Sequence, residues 1–212
     1  MHKNIHKIHT KLNGAKLIVV TKYQEIDKLK ELYALGPRDF GENRPQQLLE
    51  RHQILPEDIR WHMIGRLQRN KVKMIVPFVH RIHSVDSLRL ALEIDKQAKK
   101  HGRCIPCLIQ VKIASEESKG GYEAPQLMND FSALMKLENL KIDGLMGMAS
   151  LVKDSQQWAK EFQTLRHIKE DLESEHQVDL PELSMGMSND FEQALAEGST
   201  MVRIGSRIFE SA

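Results

Sequence analysis

Ser184-Met185-Gly186-Met187-Ser188-Asn189-Asp190 is followed, fifteen residues past Ser188, by Arg203-Ile204-Gly205-Ser206. Each piece runs from an apolar strand into small, hydrogen-bonding residues, and the segment between them reads as helix. Glycine lets backbone N–H groups approach an anion, serine donates a hydroxyl, and a following helix N-terminus adds partial positive charge. Two neighbouring strand ends of this kind suit a phosphate monoester.

Outward from that stretch the organisation is regular. Short β-branched or apolar runs recur at 16–21, 38–41, 60–65, 80–84, 105–113, 140–148, 182–187 and 201–205. Helix-length segments with a 3.6-residue apolar period separate them. Trp158, Phe162, Leu165, Ile168 and Leu172 mark one face of a long helix, and Leu127, Phe131 and Leu134 repeat the pattern, as do Leu29, Leu32 and Leu35. Ile105 to Ile113 is apolar without clean alternation, as expected for a parallel strand covered on both faces. Eight βα units predict an α/β fold, a single-domain (β/α)8 TIM barrel over 1–212 with a short leading helix, rather than an open doubly wound sheet. The last two strands of such a barrel are where phosphate most often binds.

The C-terminal strand ends share one rim. It should gather Lys22, Glu42 with Asn43, His62 with Gly65, Ser84 with Asp86, Met146 with Met148, Ser188, and Arg203 with Gly205. Lys22 closes the first strand, Lys16-Leu17-Ile18-Val19-Val20-Thr21. An amine facing a phosphate cup is the minimal description of a pyridoxal phosphate site.

Composition narrows the alternatives. The 212 residues are 41% hydrophobic and 28% charged with a formal net charge of +2, so no electrostatic excess points to nucleic acid. No apolar run approaches the ~20 residues of a membrane span. The first nine residues lack a signal core. Two cysteines, Cys104 and Cys107, make no disulfide framework, and a reducing cytoplasm is expected. Their C-x-x-C spacing lacks the second pair a structural zinc needs. His2, His6 and His9 share the face of a leading helix.

The motifs that follow one another along the chain resemble a known family. Lys22 after Leu-Ile-Val-Val-Thr, Phe40-Gly41-Glu42-Asn43, Trp61-His62-Met63-Ile64-Gly65 with Leu67-Gln68 and Asn70-Lys71, and His83-Ser84-Val85-Asp86 come first. Ser118-Lys119-Gly120-Gly121, Gly144-Leu145-Met146, Gly186-Met187-Ser188 with Asp190, and Gly198 through Gly205 complete the series. The chain resembles the pyridoxal phosphate homeostasis proteins, single-barrel relatives of the alanine racemase N-terminal domain. That resemblance implies pyridoxal 5′-phosphate held as a reversible Schiff base on Lys22. It further implies phosphate contacts from Ser188, Gly205 and Ser206, Arg203 facing the pyridine nitrogen, and Asn43, His62 and Met146 lining the pocket.

Other roles stay open for some of these residues. Ser188 could cap the helix starting near Asn189-Asp190, Asn43 could cap the helix entered at Pro45, and Arg203 could pair with a carboxylate. Lys119 is either a second amine near the cofactor or a solvated loop lysine. Guanidinium stays protonated, so Arg203 would donate to the ring nitrogen without fully protonating it, leaving a weak electron sink. A racemase of this class also needs a tyrosine from a second domain. The chain ends just after the last strand, and of Tyr23, Tyr33 and Tyr122 only Tyr122 is expected near the rim. The expected role is a monomeric cytoplasmic carrier that buffers pyridoxal phosphate for dependent apo-enzymes. The alternatives are a racemase-like enzyme and a phosphosugar barrel enzyme that uses a lysine Schiff base without cofactor.

Overall fold

Each of the eight expected strands forms, and each is short, because a barrel strand has to cross only the height of the core. They are β1 (Lys16–Val20), β2 (Asp39–Glu42), β3 (Arg60–Met63), β4 (Arg81–Val85), β5 (Ile105–Gln110), β6 (Leu140–Met146), β7 (Glu182–Ser184) and β8 (Met201–Ile204). In this computed structural model, which describes residues 1–114, 120–152 and 154–210, they close in sequence order into a parallel barrel. β8 returns to β1 through the pairs Lys16↔Met201 to Val19↔Ile204.

The principal helices outside the barrel are α1 (His2–His9), α2 (Ile26–Ala34), α3 (Pro45–Ile54), α4 (Val72–Ile75), α5 (Leu88–Lys100), α6 (Ala124–Leu134), α7 (Ser155–His176), α8 (Phe191–Ala196) and α9 (Ser206–Phe209). Their starts follow local chemistry. Pro45 opens α3, where its missing N–H costs nothing. The Ser87 hydroxyl accepts from the Leu90 N–H at the start of α5, and Asp154 accepts from Gln156 and Gln157 at the start of α7. Phe162, Leu165, Ile168 and Leu172 are the buried face of α7, as their spacing predicts. The leading helix α1 buries Ile5 and Ile8, while His2, His6 and His9 face solvent.

Alternation along the strands creates two cores. Val19, Phe40, Trp61, Met63, Val202 and Ile204 point outward into the shell between barrel and helices, where Phe40 and Trp61 meet edge-on at 5.7 Å. Leu108, Met146 and Met201 form a separate cluster within the barrel. Below that cluster the barrel is polar. Lys16, Asp39, Arg60, Arg81 and Glu182 are the first residues of their strands, and with Asp143 they form a ring of ion pairs. Arg60 holds Asp39 at 2.6 Å and Arg81 holds Asp143 at 2.7 Å, with weaker approaches of Arg81 and Lys16 to Glu182 at 3.9 and 4.0 Å. Among the described residues, no helix is long and apolar enough to cross a membrane.

Candidate functional site

At the C-terminal ends of the strands opens a cavity of about 750 Å³. Lys22, Asn43, Ser188, Arg203, Gly205 and Ser206 all line it. They come from the ends of β1, β2, β7 and β8, so closure of the barrel is what brings them together.

The backbone around Lys22 is fixed from outside the cavity. Arg51 of α3 donates to the carbonyls of Thr21 (2.9 Å) and Gln24 (2.6 Å), clamping the turn on both sides of the lysine. The same guanidinium pairs with Glu42, which also accepts from the Thr21 hydroxyl. Glu42 therefore faces the shell rather than the rim. Burial pushes its carboxyl upward, against the lowering effect of Thr21 and Arg51. Tyr23 takes φ +66°, which turns the chain sharply after Lys22 and leaves its ring largely exposed, 5.6 Å from Lys22 Nζ.

The two segments expected to receive a phosphate present free backbone donors. Among the described residues, the N–H groups of Ser188, Asn189, Gly205 and Ser206 donate to no protein acceptor. Gly186 has φ +91°, and a Cβ there would lie 2.6 Å from the Ala194 Cβ. A Cβ on Gly205 would stand 3.0 Å from the Val20 carbonyl oxygen. Both glycines thus permit a tight backbone approach that another residue would obstruct. Ser188 does not cap α8: Asp190 is the N-cap, and its carboxylate accepts from Met187 N–H. The cap of α3 is Arg44, without a side-chain bond, so Asn43 is not its cap either. Gly65 lies so close to Asn43 that a Cβ would meet the Asn43 carbonyl oxygen at 2.4 Å, an approach that only glycine allows.

Arg203 is buried, and among the described residues no carboxylate is bonded to it. It donates to Ser184 Oγ (2.7 Å) and to the Gly147 carbonyl (3.0 Å), and its remaining donors meet no acceptor among the described residues. Burial draws it down to about 10, with Asp190 partly offsetting this, and it stays charged at neutral pH.

Several further expectations need correction. His62 and Met146 stand inside the barrel, fully buried, and neither lines the cavity. Strand alternation placed both inward, but one layer too low. The rim positions above them are taken by Ile64 with Gly65 and by Met148. His62 Nε2 lies 3.0 Å from Asp39 Oδ1, and its Nδ1 lies 2.9 Å from His83 Nε2. Burial pushes both imidazoles below the ordinary histidine range, and for His62 the Asp39 carboxylate opposes that only in part. Ser84 is likewise buried, while Asp86 reaches the cavity. Tyr122 is also misplaced by the sequence reading. It is 1% exposed, bonds Asp130 at 3.3 Å and does not line the cavity, whereas Tyr23 does.

Lining residues with no sequence signal include Gln110, Asn189 and Trp158. The Trp158 indole donates to the Ser150 carbonyl at 3.0 Å, which turns the first turn of the long helix toward the mouth. Arg51 was equally silent, because nothing in its local sequence marks an arginine that clamps another element. Lys119 lies outside the described residues. Cys104 is exposed and Cys107 buried; both are free thiols, and neither lines the cavity.

Comparison with known proteins places these features in context. The model of the alanine racemase N-terminal domain matches residues 1–211. The pyridoxal phosphate homeostasis protein of Aquifex aeolicus is 41% identical over 198 residues, 93% of this chain and 87% of that protein. Its counterpart from Synechocystis is 37% identical over 92% of this chain and 91% of that protein. The structure of PipY from Synechococcus elongatus with pyridoxal phosphate bound superposes with a TM-score of 0.91 at 33% identity, covering 99% of both chains. An alanine racemase of Clostridium difficile shares the fold alone, with a TM-score of 0.81 and 16% identity, and this chain spans 56% of it.

Proposed function

The chain belongs to the alanine racemase N-terminal domain family, within it to the pyridoxal phosphate homeostasis proteins, and we propose that it holds pyridoxal 5′-phosphate in the C-terminal cavity, joined covalently to Lys22 Nζ. One observation carries the reading: a lysine after β1, a buried guanidinium with no carboxylate bonded to it among the described residues, and free N–H groups from the ends of β7 and β8 meet in one cavity. The residues fit the group. Ser188, Gly205 and Ser206 would take the phosphate, and the glycines leave room for it. Arg203 would donate to the pyridine nitrogen, and Asn43 would reach the ring from the end of β2, next to the strand that carries Lys22.

When bound, pyridoxal phosphate supplies an electrophilic aldehyde and an electron-withdrawing ring. The protein's own groups temper that chemistry. Arg203 would donate a hydrogen bond to the ring nitrogen without giving up its proton, which would keep the ring's capacity to stabilise a carbanion low. Arg51 fixes the turn that carries Lys22, orienting the amine without itself entering the cavity. Tyr122, turned onto Asp130, is no acid/base on the face opposite Lys22. These features favour reversible storage over catalysis. Delivery to dependent apo-enzymes and a monomeric state in the cytoplasm belong to the same proposal; sedimentation and cell fractionation test the last two.

The direct test is the visible absorption of purified protein with added pyridoxal phosphate. The reading expects a yellow protein that loses its colour in Lys22→Ala and racemises no amino acid at a measurable rate. Robust racemisation would shift the reading to the enzyme alternative. A colourless wild type that takes up none of the added aldehyde would overturn it.

A further inference from the structure

The barrel interior carries a continuous hydrogen-bonded line between its two ends. Arg203 Nη1 lies 2.7 Å from Ser184 Oγ, Ser184 Oγ 2.9 Å from His83 Nδ1, His83 Nε2 2.9 Å from His62 Nδ1, and His62 Nε2 3.0 Å from Asp39 Oδ1. His62, His83 and Ser184 are wholly buried, and Arg203 and Asp39 nearly so. We propose that Asp39, at the far end of the barrel from the cavity, is a positioning residue for Arg203, acting through these three neutral groups in a chain whose donors all point one way.

The direction follows from either end. Arg203 can only donate, so Ser184 Oγ accepts from it and offers its own proton to His83 Nδ1. Ionised Asp39 can only accept, so His62 Nε2 carries a proton and, in a neutral ring, His62 Nδ1 is bare. His83 Nε2–H then donates to that nitrogen, which again leaves His83 Nδ1 as an acceptor. The two derivations agree on the same Nε2–H tautomer in both rings. Neutral rings suit the surroundings, because Arg81, Lys16 and Arg203 all disfavour added positive charge on His83. Arg60, bonded to both Asp39 oxygens at 2.8 and 2.6 Å, holds the carboxylate ionised at its end.

Aligned donors polarise one another. The lone pair that Ser184 presents to Arg203 therefore draws on a carboxylate three groups away, and the guanidinium is oriented with no carboxylate hydrogen-bonded to it among the described residues. Because arginine keeps its proton, the line holds Arg203 in place and does not conduct protons away from it. The consequence for the pyridine nitrogen rests on the cofactor reading above; the chain itself does not.

Imidazole ¹⁵N resonances of the full-length, cofactor-free protein, recorded from pH 5.5 to 8, test the chain. Both His62 and His83 should show the neutral Nε2–H tautomer throughout. Ser184→Ala should keep those tautomers and move the His83 Nδ1 resonance toward that of a nitrogen with no donor. Asp39→Asn should mix the tautomers at both rings. With pyridoxal phosphate added, both variants should shift the pH profile of the visible band. If Asp39→Asn does not fold, wild type and Ser184→Ala still decide. An Nδ1–H tautomer at either ring, or titration of either to imidazolium in this range in the wild type, overturns the proposal. A wild type with the expected tautomers that takes up no pyridoxal phosphate would support the chain and overturn the functional reading instead.

Discussion

At the C-terminal mouth of the barrel, Lys22, Ser188, Arg203 and the N–H groups of Gly205 and Ser206 face open space with donors to spare. At the N-terminal mouth, Lys16, Asp39, Arg60, Arg81, Asp143 and Glu182 are of similar chemistry but are engaged with one another. Unused hydrogen-bonding capacity, rather than polarity, separates a binding site from a structural plug. A buried donor left unmade is costly unless a ligand satisfies it; at the C-terminal mouth several stand together around a cavity, whereas at the N-terminal mouth, where the side chains pair, Arg81 Nε is buried without a partner among the described residues.

The contrast breaks most sharply at Lys22. Lys22→Ala should abolish covalent capture of pyridoxal phosphate, read as complete loss of the reducible adduct. Unfolding stability in denaturant should stay within about 0.5 kcal/mol of wild type, as for a side chain outside the core. Arg51→Ala should do the reverse. It leaves the Glu42 carboxylate buried without its cation, and loss of one partner of a buried pair costs about 3–5 kcal/mol. Urea unfolding measures that, and the adduct should still form in the folded fraction.

Acid separates the two ends next. His62, His83 and the partly buried His80, which precedes β4 with its ring 5.3 Å from that of His62, all have folded-state values held by burial below the unfolded value of ~6.5, His80 at about 4. Below pH 6.5 the unfolded chain therefore binds protons that the folded chain refuses. Stability should fall as pH drops, by up to about 1.4 kcal/mol per pH unit for each of the three. Denaturant midpoints from pH 7 to 5 check the slope; a flat profile would mean the interior rings charge freely. The smallest effect is at the cradle. Ser188→Ala should weaken binding of pyridoxal phosphate roughly tenfold, the loss of one hydrogen bond to a charged group, with an unchanged melting temperature.

Much of this was legible in the sequence, for physical reasons. Strand ends announce themselves where an apolar run meets Gly, Ser or Lys, so Lys22, Asn43, Ser188, Arg203, Gly205 and Ser206 could be placed on the rim without coordinates. His62 and Met146 could not be set at the right depth, because strand alternation gives the face of a residue and not its layer. Each lies two positions before a residue that reaches the cavity, Ile64 and Met148 respectively. Tyr122 sits on a loop whose orientation is set by contact with Asp130. The interior chain was hidden for a different reason. Asp39, His62, His83, Ser184 and Arg203 are spread over 165 positions of sequence, and only barrel closure brings them into line.

Borohydride reduction of the wild-type protein saturated with pyridoxal phosphate, followed by peptide mass mapping, tests the central claim most directly. The account predicts one pyridoxyl adduct, on Lys22. An adduct on another lysine with Lys22 unmodified, or no adduct at all, would contradict it.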